Sequence, residues 1–108
     1  MKKVRLLLVG FGPRGKIWAK AIKKNSKTEL VGICDINKNL KDKNLKNIIF
    51  FHELDSALSY LKPDAVILST PPFNRMKDLK ICAKFKLPIL VEKPLTINLD
   101  EAKRQIAF

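Results

Sequence analysis

Val4-Arg5-Leu6-Leu7-Leu8-Val9-Gly10-Phe11-Gly12-Pro13-Arg14-Gly15 decides how the rest of the chain is read. Val4 to Val9 is a continuous apolar run with one charge, the form of a strand buried on both faces of a parallel sheet. Three glycines follow at once, spaced G-x-G-x-x-G. Arg14 to Asn25 then places Ile17, Trp18, Ala21 and Ile22 on one helical face, which predicts an amphipathic helix.

Working outward, strand and helix signals keep alternating. Leu30 to Cys34 reads as a second strand, ended by Asp35. Asn37 to Asn47 is polar and lysine-rich, and reads equally as a weak helix or a loop. Ile48 to Phe51 is a third strand, and Leu54, Ala57, Leu58 and Leu61 repeat at helical spacing. Lys62-Pro63-Asp64 punctuates before a fourth strand, Ala65 to Ser69. Pro71-Pro72 delays the next helix to about Asn74. That helix carries Met76, Leu79, Cys82 and Ala83 and stops near Leu87-Pro88. Ile89 to Val91 is the fifth strand, closed by Glu92-Lys93-Pro94. Asn98 with Glu101 resembles a capping box for a last helix bearing Leu99, Ala102 and Ile106. The order predicts an α/β fold of Rossmann type, a doubly wound parallel sheet of five strands. Right-handed crossovers give the expected strand order 3-2-1-4-5.

In that setting the glycine loop acquires a chemistry. Gly10 allows a tight turn, Gly12 lets the backbone approach a pyrophosphate, and Gly15 permits close packing of helix on strand. The helix start offers N–H groups and the positive end of its dipole to phosphates. Pro13 sits where a missing N–H costs little, and Arg14 adds a positive charge. Asp35 lies 20 residues beyond Gly15, where a carboxylate accepts hydrogen bonds from the adenine ribose hydroxyls. It would repel a 2′-phosphate, which favours NAD; Lys38 nearby keeps NADP open. The bland alternative is a glycine turn and a loop aspartate in a nonbinding α/β domain.

Bulk properties narrow the classes further. At 108 residues the chain makes one domain. Its apolar share of 46% and charged share of 30% suit an ordinary globular protein. No apolar run approaches a membrane span. The Met-Lys-Lys-Val-Arg start is followed by glycines rather than a signal-peptide core and cleavage site, so a cytoplasmic protein is expected. Cys34 and Cys82 lack any CxxC or His partner pattern, so no metal site is expected and both read as small buried hydrophobes. The net charge of +12 is spread from Lys2 to Lys103 and is mostly lysine. A nucleic-acid face would cluster arginine and aromatics instead, so a solvated surface is the preferred reading.

Ligands of an open parallel sheet lie across the carboxyl ends of its strands. Two proline-marked sequences sit there, Ser69-Thr70-Pro71-Pro72 and Glu92-Lys93-Pro94. With the glycine loop and Asp35, they make the chain resemble the N-terminal domain of the glucose-fructose oxidoreductase / inositol dehydrogenase / MocA-like (Gfo/Idh/MocA) family. The resemblance covers nearly the whole chain. It implies an NAD(P)-dependent oxidoreductase of sugars, polyols or related small molecules. It further implies that Ser69, Thr70, Pro71, Pro72, Glu92, Lys93 and Pro94 border the cofactor beside Gly10 to Gly15, Phe11 included. Lys93 would be the catalytic group, its ammonium polarising a carbonyl or relaying a proton as hydride moves. An exposed loop pair is the structural alternative for Glu92 and Lys93.

Two departures qualify the resemblance. The family commonly carries His three residues after the second proline, where this sequence has Arg75. Its enzymes also have a second α/β domain with an acid–base pair, expected to be absent from residues 1–108. His52, the lone histidine, ends the third strand and reads as a surface residue on the adenine side. The expected partners are therefore a dinucleotide and, through a missing domain, a small-molecule substrate; no membrane is expected, and a homo-oligomer is left open. Two rival readings stand beside the oxidoreductase. One is a freestanding NAD-binding or sensing module acting through a partner chain. The other is a degenerate domain that binds anions or nucleic acid by charge.

Overall fold

The computed structural model describes residues 2–37, 48–70 and 75–91. These form β1 (Val4–Val9), α1 (Pro13–Lys24), β2 (Thr28–Cys34), β3 (Ile49–Phe51), α2 (Leu54–Leu61), β4 (Ala65–Leu68), α3 (Arg75–Lys84) and β5 (Ile89–Val91). All pairings are parallel and the sheet order is β3-β2-β1-β4-β5, the Rossmann order expected. The ambiguous stretch through Asn47 beyond residue 37, and the helix expected from Asn98, lie outside the described residues. No helix among the described residues is long and apolar enough to cross a membrane.

Strand alternation sorts the core into two layers. Leu6 and Leu8 of β1 join Ala19 and Ile22 of α1, with Ile33 and Ile67, on one face. Leu7 and Val9 join Leu54, Leu58 and Leu61 of α2 and Leu79 and Cys82 of α3 on the other. Burial on both faces is why β1 reads as an unbroken apolar run. The β1–β2 register slips between Leu6 and Leu7, so Leu6 faces Leu30 while Leu7 faces Gly32.

The inward stripe of α1 differs from the one expected. Gly15, Ala19 and Ile22 are buried, Trp18 is half-buried, and Ile17 and Ala21 face solvent. The phase is fixed by Gly15, which must lie against the β1–α1 turn, and Ala19 one turn later lies on the same buried face. Strand β2 also begins earlier than expected, at Thr28, because Val4 and Thr28 already pair.

At the opposite end of the sheet from the glycine loop, Arg5 secures the exit of α2. Its guanidinium donates to Lys62 O and Leu61 O, both at 2.8 Å, satisfying carbonyls that a helix end leaves without intrahelical partners. Lys62 itself takes the left-handed conformation (φ 48°) as the helix cap. A shallow apolar hollow of about 380 Å³ between α1 and β4–β5 lies toward the strand starts, away from the site described next.

Candidate functional site

The carboxyl ends of β1 and β4 meet at the topological switch point, where an open α/β sheet forms its ligand crevice, bordered here by the glycine loop and the end of β2. Gly10 has φ +98° and its N–H donates to Cys34 O at 2.7 Å, so the chain turns sharply as it leaves β1. A side chain on Gly15 would put its Cβ 2.0 Å from Gly10 O. Only hydrogen fits there, and that lets α1 start directly on the turn.

Gly12 is different. Nothing lies within 4 Å of where its Cβ would be; the protein itself does not use that space. Gly12 is the N-cap of α1 without a side-chain cap, Pro13 follows, and the first turn carries no acidic residue. The helix's own first turn thus supplies no anion to neutralise the positive end of its dipole. Arg14, exposed on that first turn, adds to the positive field.

Asp35 forms the β2 border. Its Oδ2 accepts the Phe11 N–H and its Oδ1 the Asn37 N–H, each at 2.8 Å. Its own N–H donates to Phe51 O at 2.9 Å, and His52 Nδ1 lies 3.1 Å from its carbonyl. The carboxylate is thus held in place before any ligand arrives. Phe11 was expected at the cofactor site. Its side chain is buried in the α1 layer, edge-on to Phe50 with centroids 5.5 Å apart. What Phe11 presents to the crevice is main chain, and that N–H is engaged by Asp35.

The β4 border is built by side chains. Ser69 Oγ lies 2.9 Å from Gly10 O and 3.1 Å from Val9 O, donating toward both, and Ser69 N–H donates to Val9 O. Thr70 O accepts from Arg75 Nη2 at 2.5 Å. Thr70 Oγ1 is buried without a hydrogen-bond partner of good geometry, although Asp78 feels it as a weak donor. Burial pushes the Asp78 carboxyl above its ordinary value, opposed by Lys77, Thr70 and Arg75. Arg75 is 1% exposed. Sequence reading treated it only as a departure from a family pattern, and its spacing of three from Asp78 was the available signal that the cation has a partner.

Cys34 and Cys82 are buried and carry no disulfide. Burial, with the negative charge of Asp78 next, pushes both thiols up to about 12, so they are packing groups rather than nucleophiles. His52 is exposed at the end of β3, beside Asp35. Pro71, Pro72, Glu92, Lys93 and Pro94 lie outside the described residues. The geometry thus brings together Gly10 to Gly15, Asp35, Ser69 and Thr70.

Comparison with known proteins points the same way. Residues 4–108 match the model of an oxidoreductase family with an NAD-binding Rossmann fold, the Gfo/Idh/MocA family. Rhizopine catabolism protein MocA of Rhizobium meliloti is 27% identical over 96% of this chain and 33% of its own length. The WlbA dehydrogenase of Bordetella pertussis, solved in complex with NADH and UDP-GlcNAcA, is 28% identical with a TM-score of 0.87, over 98% of this chain and 34% of that one. The scyllo-inositol dehydrogenase of Lactobacillus casei, solved with NAD(H) and scyllo-inositol, has the same fold (TM-score 0.84, 20% identity, 96% of this chain and 32% of that one). The chain spans about a third of the length of each of these relatives.

Proposed function

The chain belongs to the Gfo/Idh/MocA family of oxidoreductases, and on that premise we propose that residues 1–108 are the cofactor-holding domain of an enzyme that moves hydride between NAD and a sugar- or polyol-type substrate. The observation that carries the reading is Gly12, an N-cap with empty space where a Cβ would sit, at a helix start that bears no acid. A diphosphate fits that combination of room, donors and positive potential. Arg14 would add charge to it. Asp35, held by two main-chain N–H groups, would accept from the ribose hydroxyls and repel a 2′-phosphate, hence NAD over NADP. Ser69, Thr70, Pro71 and Pro72, with Glu92, Lys93 and Pro94, are assigned to the nicotinamide side.

When bound, the nicotinamide supplies the hydride acceptor or donor. The chain's own part is to orient it, and Lys93 is assigned the proton at the substrate oxygen, polarising a carbonyl in one direction and helping an O–H proton leave in the other. Positioning of substrate against the ring supplies much of the barrier reduction in such a reaction. The residues for it are assigned to a further domain, given that the relatives are about three times as long. The substrate class follows the hydroxyl-rich molecules bound by WlbA and the inositol dehydrogenase. The two reduced thiols suit a cytoplasmic setting. Calorimetric titration of the chain with NAD and NADP tests the reading: heat with NAD and weaker binding of NADP is expected. A folded chain that gives heat with neither dinucleotide overturns it.

A further inference from the structure

Arg75 is a charged residue in an expensive place. It is buried, and it opens α3, where the positive end of the helix dipole disfavours a cation. An apolar residue of the same volume would often serve stability as well or better there. Its partners lie on the β4 side of the crevice. Nη2 donates to Thr70 O, and the guanidinium lies close enough to Asp78, one turn along α3, to favour its charged form. Thr70 in turn adjoins Ser69, whose hydroxyl reaches Gly10 O at 2.9 Å. The Thr70 N atom lies 3.0 Å from the Cβ direction of Gly10. One connected line therefore runs from Arg75 through Thr70 and Ser69 to the glycine loop.

We propose that Arg75 is a positioning residue for the dinucleotide. It holds the Thr70 carbonyl, and so sets the β4 wall of the crevice against which the nicotinamide half of the ligand lies. The adenine half lies over Gly12 and Asp35 and does not depend on Arg75. The inference rests on the cofactor reading above and deepens it.

The test compares AMP with NAD as probes, by calorimetry on the whole chain, for wild type, Arg75→Met, Arg75→Lys and the double variant Arg75→Met/Asp78→Asn. The double variant removes the countercharge that Arg75→Met alone would strand. Arg75→Met is expected to weaken NAD about tenfold, the size of one lost anchoring hydrogen bond, while AMP affinity stays within about twofold. Arg75→Lys, which keeps a cationic donor, is expected to recover most of the loss. A purely structural role would weaken AMP and NAD together, or would leave both neutral variants unfolded, and either result overturns the proposal. So does a folded Arg75→Met that binds NAD like wild type. If wild type binds neither AMP nor NAD, the cofactor reading fails and this inference with it. If wild type binds both and Arg75→Met is indifferent, only the inference fails.

Discussion

On the β1–β2 side of the crevice, shape comes from what is missing, the Cβ atoms of Gly10, Gly12 and Gly15, and from one carboxylate bound to nearby main chain. On the β4 side it comes from side chains that reach across, Ser69 to the glycine loop and Arg75 back to Thr70. The first side lies within one βαβ unit, Asp35 reaching Phe11 across 24 residues. On the second, Arg75 holds Thr70 locally, but Ser69 reaches the loop across 59 residues and only once β1 and β4 are paired. That difference separates what each side contributes. In the proposed function, the glycine side admits the phosphates and the β4 side forms the wall opposite.

The largest expected effect breaks the comparison at its hinge. Gly15→Ala would bring a Cβ to 2.0 Å from Gly10 O, a main-chain atom that cannot yield without moving β1 or α1. A loss of about 3 kcal/mol or more is expected, of the order seen for overpacked and strained sites. For a domain of this size that lowers the melting temperature by roughly 12 °C or more. A variant that melts within a few degrees of wild type would mean that helix and turn are not packed as described. Gly12→Val sharpens the contrast from the other direction. The Cβ position is open, so the stability cost should stay at about 1 kcal/mol, that of a poor N-cap residue. NAD binding should nevertheless fall beyond detection. A Gly12→Val chain that still binds NAD would place the phosphates elsewhere.

Asp35→Ala is expected to be milder. It removes the acceptor of the Phe11 N–H and the Asn37 N–H, at about 1 kcal/mol in stability. It would also remove the proposed ribose contact, at about tenfold in NAD affinity. The ratio of NAD to NADP affinity should narrow, since the repulsion of a 2′-phosphate goes with the charge. An unchanged ratio in competition titrations would take Asp35 out of specificity.

The sheet was legible because its evidence is periodic: every strand buried on two faces left an apolar run, and alternation with α2 fixed the order. The phase of α1 was not. Ile17 looks like a core residue by composition, but Gly15 must face the turn, and a helix can turn only one stripe inward. The packing of Phe11 was not legible either: its loop position gives no sign that its ring fills the layer beside Phe50. Arg75 was seen as a mismatch to a pattern because sequence carries no sign that α3 buries its first residue. The placement of Asp35 beside the glycine loop was legible because it depends on spacing along a single βαβ unit rather than on packing between distant elements.

The two buried thiols connect the two sides. Cys34 ends β2 on the glycine side, Cys82 lies on α3 behind the β4 side, and both are pushed up to about 12 by burial first and by Asp78 next. With the folded value above the ordinary 9.0, the folded chain holds these protons where the unfolded chain has lost them. Their contribution to stability is therefore complete below pH 9.0 and fades as pH rises toward about 12. Lysines titrate in the same range, so the quantity to measure is the difference in unfolding free energy between wild type and Cys34→Ala or Cys82→Ala across that window. The difference should shrink as pH rises; one that stays flat would mean the thiols are not shielded. Alkylation at pH 8 should be much slower in the folded chain than for an unshielded cysteine, following the thiolate fraction. Asp78→Asn then isolates the electrostatic part. Desolvation, the larger cause, remains, so alkylation of Cys34 and Cys82 should quicken far less than burial slows it. A response at Cys82 alone would confine the field of Asp78 to α3. A response at both thiols would put the end of β2 and the start of α3 within one electrostatic environment, as the packing of Cys34, Leu79 and Cys82 in a single core layer requires.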